Sequence, residues 1–166
     1  MKFIVTGRLN DRLLQIILLF TLSYISFLWV TDVLIYVERM GFDYASVVKA
    51  SLGSVTEFKN PVSYIELLEI THMHLFSLAI ALLLLNHLVA FLRIPGYVKL
   101  SLILVSFISG LLNIGSGWLI RFVSPGFAYL KIGSFIVFQT SFLLLIILSF
   151  FAIGVYAKYS GGNTGK

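Results

Sequence analysis

Four long, predominantly apolar stretches, Leu13 to Val37, Ile70 to Leu92, Val98 to Ile120 and Ile132 to Ala157, constrain this sequence more than anything else in it. A helix rising 1.5 Å per residue needs about 20 apolar residues to cross a hydrocarbon core about 30 Å thick, and each stretch is long enough. Lipid offers no hydrogen bonds, so a run of this length must satisfy its backbone internally, as a helix. The expected fold is therefore an all-α integral membrane protein, a four-transmembrane-helix up-and-down bundle forming a single membrane domain over residues 1–166. Composition agrees. The chain is 59% hydrophobic and 11% charged, where a soluble domain carries about 25% charge, which excludes both a water-soluble globule and a disordered tail protein. The absence of cysteine removes disulfides, thiol catalysis, Cys-ligated iron–sulfur clusters and covalent c-type haem from its own chemistry.

The formal net charge is +5. Because the charges sit mostly between the apolar stretches, they read as topology signals rather than as a nucleic-acid-binding face, and no nucleic-acid partner is expected. Lys2, Arg8 and Arg12 against Asp11 precede the first span, and Arg93 and Lys99 without an acid join the second to the third. Both segments are expected in the cytoplasm. The loop 38–69 opposes Arg39, Lys49 and Lys59 with Glu38, Asp43, Glu57, Glu66 and Glu69, so it belongs outside. Arg121 and Lys131, between the third and fourth spans, are exceptions to that rule. Both termini are then cytoplasmic, in a multi-pass membrane protein. The first span is too long for a signal peptide and lacks a small-x-small cleavage site, and the tail Ser160 to Lys166 reads as a frayed cytoplasmic end. The outer loop has room for a short surface helix, and its acids Glu57, Glu66 and Glu69 form a candidate docking surface for a basic partner.

Ionisable groups inside a membrane are costly, so each is a candidate for function. The second span holds all three histidines, His72, His74 and His87, while Asp32 lies near the outer end of the first span and Arg121 near that of the third. At 100° per residue His72 and His87 fall on one face of the second span, about 22 Å apart along the axis, and His74 points about 200° away. That separation matches one b-type haem per leaflet on a shared helix, with His72 and His87 as ligands of haem iron. Ala79 and Ala90 on the same face leave room for a flat macrocycle, and neutral imidazole is the usual ligand. Arg121 could pair with haem propionates or equally with Asp32.

The plainer readings stand beside these. An interfacial histidine, His74 above all, often bonds only water or a carbonyl, and Asn86 beside His87 suggests an interhelical hydrogen-bond network. Two bis-histidine haems need four histidines, so a second ligand would have to come from Met40, water, a second copy of the chain or another protein. Glu69-x-x-His72 has the spacing of a di-iron carboxylate bundle but occurs once, and Glu66 adds only a third group. Gly110, Asn113, Gly115 and Gly117 in the third span favour close helix packing, and Gln15 and Gln139 read as polar glue between helices.

The segment Ser63-Tyr64-Ile65-Glu66-Leu67-Leu68-Glu69-Ile70-Thr71-His72-Met73-His74-Leu75-Phe76, followed by Asn86-His87-Leu88 and by Gly117 to Lys131, resembles a family of small four-helix bacterial inner-membrane proteins. The family's Leu-Leu-Glu-x-Thr-His-x-His-Leu-Phe pattern corresponds to Leu67 through Phe76. The resemblance implies a setting among periplasmic multihaem cytochromes and respiratory electron-transfer complexes. Taken with the residues, it leads us to expect a membrane subunit of such a complex, binding haem b and linking a quinone to a periplasmic cytochrome without bond-making chemistry of its own. The alternative is a cofactor-free anchor or assembly subunit. A homo-oligomer is compatible with either, and a proton or small-solute path through His87, Asn86, Gln139 and the polar cluster near the outer surface is a third reading.

Overall fold

The computed structural model of the protein describes residues 11–161. Lys2, Arg8 and the last five residues of the tail lie outside them. Five α-helices run in the order α1 Asp11–Arg39, α2 Tyr44–Leu52, α3 Tyr64–Ala90, α4 Gly96–Phe122 and α5 Ala128–Gly161, with one 3-10 turn at Pro125–Phe127. All but α2 are long and apolar enough to cross a membrane. The chain is an all-α bundle of four membrane-spanning helices; the last three are joined by short turns, and the longer connection from α1 to α3 carries α2 at the end that the charge pattern marks as outer.

Local chemistry sets the boundaries. α1 stops at Gly41, whose φ of 71° is the left-handed glycine ending, and the Met40 and Gly41 N–H groups both donate to Tyr36 O at 2.8 and 3.2 Å. Asp43 caps α2 by accepting from the Ser46 N–H at 2.9 Å. α2 ends at Gly53, where a side chain is impossible: φ is +78° and a Cβ would sit 2.2 Å from Lys59 O. Ser54 and Lys59 then exchange backbone bonds of 2.9 and 3.0 Å, closing a tight turn that displays Val55 and Phe58 to the outside. α3 begins at Tyr64 rather than Ile70, because Ser63 accepts the Glu66 N–H at 3.1 Å and starts the helix before its apolar run.

α5 is the hub. It packs most extensively on α4 and also on α1 and α3, while α1 rests mainly on α5. The core comprises Leu22 and Ile25 of α1, Ala81, Leu82 and Leu85 of α3, and Phe138, Phe142 and Leu145 of α5. α4 turns a face of small and polar residues, Ser106, Ser109, Gly110, Asn113 and Ser116, toward the bundle. Close backbone approach through small residues takes the place of the hydrophobic driving force that lipid removes. Gly110 shows it directly, since a Cβ there would be 3.1 Å from the Phe138 ring. Gly117 approaches Leu67, whereas Gly115 faces open space. At the outer end Val47 of α2 is buried against Ile120 and Ala128, with Met40, Leu52 and Phe127 around them. Phe20, Tyr24, Phe27, Phe76 and Leu83 are among the large apolar residues left on the bundle's exterior, the surface a lipid-embedded protein presents.

Candidate functional site

Polar side chains from all five helices converge near the outer end. Asp32 of α1 accepts a hydrogen bond from Gln139 Nε2 of α5, and the Gln139 backbone carbonyl accepts from Trp29 Nε1 at 3.1 Å. His74 Nε2 lies 3.7 Å from the other oxygen of Asp32, a charge contact rather than a hydrogen bond. His74 Nδ1 is 2.8 Å from Ile70 O. A carbonyl only accepts, so Nδ1 carries a proton and Nε2 is the nitrogen that faces Asp32. Three helices are thus tied by one carboxylate.

Behind this pair lies a cavity of about 80 Å³ bordered by Thr71, His74, Asn113, Arg121 and Lys131, with Met40, Ser51 and Val62 closing it from the outer side. Lys131 reaches across from α5 to donate to Asn113 O of α4 at 2.9 Å. Arg121 Nε donates to Val62 O at 2.9 Å, pinning the outer loop to α4, and its guanidinium rests over the Phe122 ring at 5.4 Å. Trp118 Nε1 donates to the Thr71 hydroxyl at 2.8 Å. Arg121 and Lys131 are the two cations that break the charge rule for outer loops, and their geometry explains why. Both are drawn into the helix assembly, where they bond carbonyls, instead of standing on the surface where the rule counts them.

The sequence-derived candidates separate into two groups. His72 and His87 lie on the exposed face of α3 together with Phe76, Ala79, Leu83 and Ala90. His87 stands at right angles to the Phe91 ring, with ring centroids 5.1 Å apart. His74 faces inward and joins Asp32, and Arg121 joins the same cavity. The carboxylate of Asp32 is taken by Gln139 and His74 rather than by Arg121. Among the acids, Glu57 pairs with Lys49, which neutralises it locally. Glu66 sits in the first turn of α3, where a carboxylate complements the helix dipole, and Glu69 is exposed.

A haem held inside this bundle does not fit the residues present. The cavities on the inward side of α3 measure about 80 and 70 Å³, where pockets for ligands of cofactor size run from roughly 300 Å³ upward. Neither His72 nor His87 lines them. A groove of about 420 Å³ between α4 and α5 is bordered by Leu104, Ile108, Leu112 and Val137 and contains no histidine. Any haem on His72 or His87 would lie against the exterior of α3.

Lys131, Asn113 and Thr71 are the site residues the sequence did not single out as a group. Their one signal was Lys131 itself, a lysine on the side of the membrane where lysine is unfavourable, which is a reason to expect it buried and bonded.

No curated protein and no solved structure matches the chain. A family of membrane domains does match, over residues 41–158, which takes in the outer loop from Gly41, every residue bordering the cavity except Met40, and three of the four spans. The chain belongs to that family, Aq_1264_TM, described as a transmembrane helical domain.

Proposed function

We propose that the chain is a membrane anchor or assembly subunit for a redox partner, holding no haem within its own bundle. The observation that carries this reading is the placement of His72 and His87 on the exterior of α3, away from every cavity described. The inward-facing ionisable groups Asp32 and His74 are occupied with tying helices together. The resemblance to proteins found beside multihaem cytochromes supports a partner of that class, a periplasmic cytochrome or another respiratory subunit. The outer surface supplies Glu66 and Glu69 to meet a basic patch, while Glu57 is held by Lys49. The test is a visible spectrum of the full chain purified in mild detergent. A colourless preparation that binds a lysine-rich cytochrome in a salt-sensitive manner supports the anchor, and a stoichiometric Soret and α-band in the monomer overturns it.

One observation favours a second reading. His72 and His87 share an exposed face, so a second copy packed through α3 would bring four imidazoles together and complete two bis-histidine haem b sites, with access for a quinone at their edge. That arrangement requires a haem-containing dimer in which His72→Ala and His87→Ala each remove one of the two haems, while His74→Ala keeps both.

A further inference from the structure

We propose that the cavity at the outer end of the bundle binds anionic phosphate oxygens, through Lys131 and Arg121. Both cations border it, and no carboxylate does. The nearby acid, Asp32, accepts from Gln139 and faces His74, and neither Lys131 nor Arg121 forms a salt bridge with an acid among the described residues. Each instead donates to a single backbone carbonyl. An ammonium has three donors and a guanidinium five, so most of their hydrogen-bonding capacity remains for a ligand. Charge held inside a membrane protein calls for opposite charge beside it, and here the protein supplies one carboxylate, Asp32, which attracts Lys131 from a distance and is already bonded to Gln139.

A second, independent feature points the same way. Asn113 is only 7% exposed, borders the cavity, and its Oδ1 has no hydrogen-bond partner. A buried acceptor left unbonded costs about 1–3 kcal/mol. A protonated phosphate, or a phosphate with one accompanying water, offers both the acceptors that Lys131 and Arg121 lack and the donor that Asn113 lacks. The volume suits such a group. About 80 Å³ is several times the roughly 10–15 Å³ that one water needs, yet far below what a ring system with a tail requires. Arg121, partly exposed, stands where an anion would enter from the outer side, as either free phosphate or the headgroup of an outer-leaflet lipid.

The experiment measures thermal unfolding of the full chain in neutral detergent, first with inorganic phosphate titrated against chloride at constant ionic strength. It is repeated with phosphatidylglycerol or phosphatidylcholine added to the micelle. Ligand that binds only the folded state raises the midpoint in proportion to its occupancy. We expect inorganic phosphate to raise it in the wild type. We expect Lys131→Met and Arg121→Gln each to weaken the apparent affinity at least about tenfold, and Lys49→Gln on the outer surface to leave it unchanged. Stabilisation by phosphatidylglycerol and not by inorganic phosphate would assign the site to a lipid headgroup, and the reverse to the free ion. No stabilisation by either, or equal stabilisation of the wild type and both variants, overturns the proposal. Should Lys131→Met fail to fold, Arg121→Gln decides the matter in the same titrations, since stabilisation equal to that of the wild type by both phosphate and phosphatidylglycerol is incompatible with the site.

Discussion

Asp32 holds more of the bundle together than any other ionisable side chain described, because it is the point where α1, α3 and α5 meet through Gln139 and His74. Gln139 is 6% exposed, so its replacement by leucine leaves a carboxylate without its amide donor in a site of low polarity. We expect Gln139→Leu to destabilise the protein by about 1–3 kcal/mol, measured by unfolding in detergent. His74→Ala should also destabilise, while His72→Ala and His87→Ala stay within about 0.5 kcal/mol, as exterior substitutions usually do. Equal losses for the three histidines would contradict the inward placement of His74. The helical-wheel arithmetic separated His74 from His72 and His87 correctly, but it could not tell which face was inward. In a soluble helix the apolar stripe marks the core. Lipid is as apolar as leucine, and α3 is apolar nearly all round, so that marker is missing.

At the scale of the element, the four spans were legible because length and hydropathy alone define them, and α2 only as available room in the loop. What set the true ends was side-chain capping at Asp43 and Ser63, a signal of two or three atoms that a count of apolar residues does not register. Asp43 yields a pH prediction. The Ser46 hydroxyl, and then the Ser46 N–H, hold its carboxyl below the ordinary value of 3.8. A carboxylate whose pKa is depressed by folding contributes stability that is complete above its ordinary range and is lost as the pH falls through the lowered value. The cap of α2 should therefore be intact at neutral pH and weaken only in acid. The Ser46 amide resonance should titrate with a midpoint below 3.8, and Asp43→Asn should keep the cap while abolishing that titration. A midpoint at or above the ordinary value would rule out the cap.

For the whole molecule, the distribution of lysine and arginine predicts the orientation, and the withdrawal of Arg121 and Lys131 into the bundle removes the two exceptions to it. Reporter fusions at Pro95 and after Lys158 should be cytoplasmic, and one near Lys49 exported. An exported carboxyl terminus would invert the arrangement. The position of α5 as the hub bears on how the protein is made. The helix that organises the bundle is synthesised after the other four, and the amide partner of Asp32 lies 107 residues further along the chain. At the usual 5–20 residues per second, α1 waits roughly 5–20 s in the membrane with a carboxylate that has no amide to bond. Ribosomes halted before Ala128 should accordingly leave a product that insertion factors retain or proteases remove. Replacing Asp32 with leucine should lengthen the life of that fragment while weakening the finished protein, so that one residue sets quality control during biogenesis and stability after it.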